Sequence, residues 1–335
     1  MKLLILTQTV DSNDPVLGFF HKWIEVLSEK YDSLEVICLR EGKHSLPSNV
    51  RVHSLGKEDG ESRVKYLRRF YRYIWGLRKE YDAVFVHMNE EYVLLGGLPW
   101  KLLGKNYYLW RNFHAGSWKT DIAASLCTNV FCTSLFSYTA RYKKTHIMPV
   151  GVDLTNFKPR SDIERIPRSV LSLSRIAPEK RIETLLAALG ILKTQGVQFT
   201  ATIVGDPLPK DEPYAAMLRQ MCERLDITDA VTFQSSVTKS EAPSVFAKHA
   251  VFVNCSPSGM LDKTIFEAAA CGAYVFAASA DFARIAGEDF SFCSASELAE
   301  KMKEVLSREN EEGEPEYLRS HSLTKLAVSL AQAIH

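Results

Sequence analysis

A chain of 335 residues is long enough to bury a large core and suggests two domains. Its 46% hydrophobic and 24% charged residues exclude a disordered chain. The 41 Lys and Arg nearly cancel the 40 Asp and Glu, so global charge gives no support to a nucleic-acid partner.

In chain order, MKLLILTQTVDSND turns polar after Leu6, too early for a signal-peptide core and in keeping with a first strand. LEVICLR, VRVHSL, AVFVHM, NYYLWRN, NVFCTS and THIMPV continue the series, with helical patterns such as GFFHKWIEVLSEKY and EEYVLLGGLPWKLLG between them. The runs are nearly continuous in apolar residues rather than alternating, the pattern of strands buried on both faces of a parallel sheet. DLTNFKPRSDIERIPRS then breaks the pattern with two prolines and mixed charge. The series restarts with SVLSLSR, QFTATIVGD, AVTFQSS, AVFVNCS and AYVFAAS, separated by ETLLAALGILKTQ, PYAAMLRQMCERL and KTIFEAAAC. Two consecutive βα series predict two Rossmann-like, doubly wound domains facing across a cleft. The expected division is a first domain over 1–152, a linker over 153–168 and a second domain over 169–315. SELAEKMKEVLSREN and PEYLRSHSLTKLAVSLAQAI each read as one helix, the latter (316–335) expected to pack back on the first domain.

The seven cysteines form no C-x-x-C pair, which predicts buried, reduced thiols in a cytoplasmic protein and no zinc site. No run reaches 18 apolar residues, so no membrane-spanning segment is expected.

In such sheets ligands bind beyond the carboxyl ends of the strands, which directs attention to the residues just after each run. In SLSRIAPEKRIETLL, Arg175 ends a strand and Lys180 stands at a helix start behind Pro178. Two cations beside a helix N-terminus suit a polyanion; two solvated surface cations are the equally weighted plainer reading. His87 and His114 each follow a strand of the first series; packing or an exposed loop is the plainer reading for either. Gly18, in the loop after the first strand, permits close backbone approach, but no G-x-G-x-x-G accompanies it. Glu267 lies early in a helix after a strand, where a carboxylate suits a vicinal diol or simply complements the helix dipole. The loop before it, SPSGMLDK, offers backbone amides to a phosphate or sugar.

Together these segments resemble retaining glycosyltransferases of the GT-B fold, family 4, also called glycosyl transferases group 1. SLSRIAPEKRIETLLAAL resembles that family's strand-R-x(4)-K-helix segment, and VFVNCSPSGMLDKTIFEAAACG its E-x(7)-E segment. HSLTKLAVSL resembles its C-terminal helix. The resemblance implies that Arg175 and Lys180 grip the donor diphosphate, that Glu267 holds the donor ribose, that His114 lies near the transferring bond and that Gly18 belongs to a loop closing over the diphosphate. It implies a nucleotide-diphosphate sugar as donor substrate and no metal or other cofactor. The chain departs from the pattern at Gly259, where the first acid of E-x(7)-E is expected. Asp262, Lys263 and the amides of Gly259, Met260 and Leu261 are the candidate substitutes for its sugar contacts. Base selection is expected around Gln234 to Val237.

The stretch ESRVKYLRRFYRYIWGLRKEY interleaves seven Lys and Arg with aromatics. It reads as an amphipathic helix packed on the sheet or, over 61–80, as a peripheral contact with an anionic inner-membrane face. A glycan, lipid-linked or polysaccharide-precursor acceptor is the corresponding expectation. The competing readings are a catalytically silent nucleotide-sugar binding module and a GT-B nucleotide-sugar epimerase.

Overall fold

The structure, a computed structural model, describes residues 1–14, 17–259, 261–308 and 315–335. It divides into two compact units, Met1–Gly151 with Leu323–His335, and Val152–Ser322.

The first unit holds β1 (Lys2–Val10), β2 (Ser33–Glu41), β3 (Val50–Ser54), β4 (Ala83–His87), β5 (Asn106–Trp110), β6 (Val130–Cys132) and β7 (Thr145–Ile147). They form one sheet in the order β3-β2-β1-β4-β5-β6-β7, parallel throughout. Side chains alternate across a strand. Leu3 and Ile5 of β1 therefore join one core with Phe20, Trp23 and Ile24 of α1 (Gly18–Ser28) and Leu326 and Leu330 of the last helix, α12 (Leu323–Ala333). Leu4 and Leu6 join the opposite core with Phe70 and Ile74 of α2 (Arg63–Gly76), Val93 and Trp100 of α3 (Glu90–Leu102) and Ala123 of α4 (Trp118–Leu126). Ser62 starts α2 as its N-cap, its hydroxyl accepting from the Lys65 amide.

The second unit holds β8 (Ile166–Leu173), β9 (Thr200–Val204), β10 (Val231–Gln234), β11 (His249–Asn254) and β12 (Tyr274–Ala277). Their order is β10-β9-β8-β11-β12, again parallel. One face carries α5 (Ile182–Thr194), α6 (Glu212–Arg224) and α10 (Ala295–Ser307), through Leu185, Leu189, Leu218, Leu298 and Met302. Phe246 of α7 (Ala242–Lys248) packs edge-on to Phe252 of β11, and Phe266 of α8 (Lys263–Ala270) to Phe282 of α9 (Ala280–Ala286).

The seven and five runs of the sequence reading are thus the strands of two parallel sheets. Two details differ. Strand β8 starts at Ile166, inside the stretch read as linker. The final stretch read as one helix is two: α11 (Tyr317–Ser320), whose Tyr317 ring meets Phe266 and Phe282 in the second unit, and α12 in the first. All seven cysteines are free thiols, and only Cys293 is exposed. Among the described residues no helix is long and apolar enough to cross a membrane.

Candidate functional site

The order of the second sheet reverses between β8 and β11, so the carboxyl ends of these two strands form its switch point, where open α/β sheets take ligands. A polar cluster fills that position. The Lys180 ammonium lies 2.7 Å from Asp262 Oδ2 and 3.3 Å from Ser256 Oγ. The same carboxylate oxygen accepts from Ser256 Oγ at 2.7 Å and Asn254 Nδ2 at 3.0 Å. Burial pushes the Asp262 carboxyl upward, but Lys180, Asn254 and Ser256 outweigh it and hold the group below its ordinary value. Asp262 thus enters the site as a fixed anion that orients Lys180. Its Oδ2 is filled by these three donors, while Oδ1 has no hydrogen-bond partner among the described residues.

Lys180 does not open a regular helix, as the sequence reading had it. Pro178–Lys180 make a 3-10 turn, Arg181 adopts a left-handed conformation (φ 48°), and α5 starts only at Ile182. That break aims Lys180 toward β11 rather than along a helix face.

Asp262 is the N-cap of α8, yet its side chain makes no capping bond. The first-turn amides are therefore not capped by that side chain, and the nearby Thr264 hydroxyl is buried without a partner among the described residues. One turn on, the Glu267 carboxylate is half-buried and makes no hydrogen bond to a described residue. Burial raises its pKa against the opposing pull of Lys239 and Lys263, with Asp153 and Asp262 adding to the rise. Lys263 is held well below its ordinary value by burial and by Lys239, against the attraction of Glu267. A carboxylate with unfilled acceptors between two lysines is suited to receive hydroxyl donors.

The loop before α8 is partly committed. The Gly259 amide donates to the buried carboxylate of Asp281 at 3.1 Å, so it is not the open donor the sequence reading proposed. Gly259 has φ 95°, a conformation that disfavours any side chain here, including the missing acid. Leu261 points its side chain into the core. Met260 lies outside the described residues.

Arg175, just past β8, is exposed; its guanidinium helps to lower the Glu179 pKa but makes no hydrogen bond or close ion pair with a described residue. The backbone around it is pinned: Ser174 donates to Val204 and Ile176 to Asp206. Gly205 makes this possible, since a Cβ there would lie 1.9 Å from the Ser174 carbonyl oxygen. In the stretch expected to select a base, Ser236 and Asp206 exchange two hydrogen bonds of 3.0 Å, locking the loops after β9 and β10 together.

The other candidates follow strand ends of the first sheet. His114 is exposed in the loop after β5, its ring against Phe113. Beside that loop Arg111 pairs with Glu90 at 2.8 Å, and Asn112 accepts from Thr133 and Ser137. Gly18 begins α1 and is buried; its amide donates to the Asp14 carbonyl, and a Cβ would lie 2.9 Å from the Ser12 carbonyl oxygen. Its smallness serves the loop's own packing. His87 is buried and stacked on Phe20 at 3.9 Å, the packed histidine of the plainer reading.

Sequence reasoning did not single out Asn254, Ser256, Lys239, Thr264 or Asp281. Asn254 ends β11 and Ser256 follows it closely, where strand-end logic points, but their common partner Asp262 is visible only in three dimensions. Among the described residues no group of three or more His, Cys, Asp or Glu could hold a metal ion.

Comparison with known proteins fits this geometry. Residues 155–319, nearly all of the second unit, match the family described as Glycosyl transferases group 1. The alpha-monoglucosyldiacylglycerol synthase of Streptococcus pneumoniae is 25% identical over 171 residues, covering 47% of this chain and 37% of the relative. A Mycobacterium tuberculosis protein, GDP-mannose-dependent alpha-(1-6)-phosphatidylinositol monomannoside mannosyltransferase, is 30% identical over 146 residues, 39% of this chain and 37% of the relative. The match therefore spans little more than a third of either relative's length. Among solved structures, Anabaena HepE in complex with UDP-glucose has a TM-score of 0.71 at 19% identity, covering 99% of this chain and 94% of that one. A glycosyltransferase from Rickettsia africae has a TM-score of 0.74 at 14% identity, covering 99% and 97%.

The fold is GT-B. Its second unit is similar to the glycosyl transferases group 1 family over residues 155–319.

Proposed function

We propose that this chain transfers a sugar from a nucleotide-diphosphate sugar to a hydroxyl acceptor, with retention at the anomeric carbon and without a metal ion. The observation that carries the reading is the switch-point cluster of the second sheet: Lys180 held by Asp262, and Glu267 with unfilled acceptors on the following helix. The family match over the same segment supports it. Lys180 and the exposed Arg175 guanidinium take the diphosphate, aided by the first-turn amides of α8 and Thr264, and Glu267 takes the ribose hydroxyls. The bond from the anomeric carbon to the phosphate oxygen breaks. The acceptor oxygen bonds to that carbon on the same face, and its proton passes to the departing phosphate. Lys180 and Arg175 stabilise the charge that develops there. His114 orients the acceptor side of the reaction, and Lys263 and Asp262 Oδ1 stand in for the acid absent at Gly259.

The names of the two relatives describe glycolipid synthesis, which favours a lipid-linked acceptor over a free glycan here. Seven free thiols suit a reducing compartment, and the cytoplasm is the proposed location. A second reading, a silent nucleotide-sugar binding module, draws on Gly259 with its amide already taken by Asp281. Incubation with UDP- and GDP-sugars separates the two: slow, chelator-resistant donor hydrolysis with an α-configured donor giving α-product on acceptor addition supports transfer. Binding without any turnover supports the silent module.

A further inference from the structure

The helical layer formed by α2, α3 and α4 is apolar on its outer side as well as its inner side. On α2, Phe70 and Ile74 are buried against the sheet, while Val64, Leu67, Tyr71 and Trp75 form a second stripe that faces outward. Spacings of three and four residues place these four on one face. Leu95, Leu98 and Leu102 repeat the pattern on α3, and Trp118, Ile122 and Leu126 on α4. Trp75 is 56% exposed, Leu98 67%, Leu102 76% and Trp118 66%, values far from those of core residues. The stripes adjoin: the Tyr71 hydroxyl donates to the Leu95 carbonyl at 3.2 Å, and Leu126 Cδ1 lies 3.6 Å from where a Cβ on Gly97 of α3 would stand. On the opposite layer, α1 and α12 expose no large hydrophobic residue among those described. The outer face of α2–α4 is therefore a local property, not the general character of the surface.

Charge specifies what covers it. Helix α2 carries Arg63, Lys65, Arg68, Arg69 and Arg72 and no acidic residue. Lys65 and Arg69 are tied to Glu61, whereas Arg63 and Arg68 have no partner among the described residues. On the neighbouring helices Glu90 is paired with Arg111 and Asp121 with Arg141, leaving Glu91 as the exposed acid outside an ion pair. An apolar face with Trp, Tyr and Leu in the centre and long cations at its edge matches the interfacial layer of a bilayer bearing anionic headgroups. A second copy of the same face fits poorly, because a two-fold contact would set the arginines of α2 against each other.

We propose that α2, α3 and α4 together form a docking surface for an anionic phospholipid bilayer, of which the stretch 61–80 supplies only one stripe of three. The surface acts without nucleotide, so it stands or falls separately from the transferase reading.

The test is co-sedimentation of the full chain with vesicles of phosphatidylcholine alone or mixed with phosphatidylglycerol, at low salt, alongside nucleotide titration of the same samples. The expected result is binding to the mixed vesicles only. Joint Arg68→Ala and Arg72→Ala substitution weakens it about tenfold, and joint Leu98→Ser and Leu102→Ser substitution by a similar factor. Leu208→Ser, an exposed residue of the second unit, leaves vesicle binding unchanged, and nucleotide binding is the same in the arginine and leucine pairs as in wild type. Should the leucine pair impair folding by thermal melt, the arginine pair decides. Absence of binding to the mixed vesicles overturns the proposal. So does binding indifferent to the arginine pair, or a self-associated species that the same substitutions dissolve.

Discussion

The two units solve one architectural problem with different surfaces. Both cover a parallel sheet with helices, and both bury their strands on two faces. Yet of the 17 exposed large hydrophobic residues among those described, only Ile166 and Leu208 belong to the second unit. The second unit instead concentrates polar groups at the switch point of its sheet, where Lys180, Asp262, Ser256 and Asn254 interlock and Glu267 stays open. A parallel α/β fold leaves two regions free to specialise, the carboxyl ends of strands and the outer faces of helices. The second unit has specialised the first of these, with cations and a helix start that the Asp262 side chain leaves uncapped, both suited to a polyanion. The first unit has specialised the second, with apolar stripes suited to an extended surface. The lesson is that similar folds can advertise different ligands, and that the type of group left unpartnered is the signal.

If that contrast is functional, changes at the switch point alter nucleotide handling and leave the helical face of the first unit untouched. Lys180→Ala is expected to have the largest effect, a loss of about 100- to 1000-fold in kcat/KM for donor, the scale of removing one preorganised donor from a developing anion. Steady-state kinetics with the preferred nucleotide sugar checks it.

Glu267→Gln comes next, with nucleoside diphosphate binding weakened roughly tenfold, as for a lost hydrogen bond to a charged group. Its stability effect has the opposite sign. The folded pKa of Glu267 is raised above the ordinary 4.5, so its favourable contribution is present below that value and is lost as pH rises through the folded value. At neutral pH the unliganded Gln variant should therefore melt higher than wild type, with the gap closing as pH falls toward 4.5. Thermal melts across that range test the sign.

Asp262→Asn is expected to lower kcat several-fold and to raise KM for the donor, because Asp262 orients Lys180 through Oδ2 and offers Oδ1 to the sugar. It should also cost about 1–3 kcal/mol of stability by leaving a partly buried cation poorly paired. The depressed Asp262 pKa means that its contribution is present above the ordinary 3.8 and fades as pH falls through the folded value, so wild type and variant should converge in acid. A stability loss with kcat unchanged would reduce Asp262 to a structural role. The smallest effect belongs to Gly259→Ala, about 1–2 kcal/mol from placing a Cβ in a left-handed position. It is read by denaturant unfolding.

The strands were legible because burial on both faces writes itself into composition: AVFVHM and AVFVNCS became β4 and β11 without any alternation to interpret. Arg175 was legible as a strand-end charge, and Lys180 and Glu267 as charges early in the helices that follow strands. What escaped was pairing. Asp262 reads in sequence as a free sugar contact, yet its partner Lys180 is 82 residues away. The Gly259 amide reads as an open donor, yet Asp281 reaches it from the start of α9. In α2 the interleaved aromatics leave two readings open, packing on the sheet or resting on a membrane, because periodicity shows that apolar faces exist and not which of them meets the sheet. Phe70 went inward, while Tyr71 and Trp75 went outward. The break at Ser322 that separates α11 from α12 left no Gly or Pro to mark it.

The most direct test of the central claim is calorimetric titration of UDP, GDP and ADP into the wild-type chain and into Lys180→Ala. The switch-point account predicts that one nucleotide binds clearly and that the substitution removes most of that affinity. Binding that survives unchanged in Lys180→Ala, or no binding by any of the three, would contradict it.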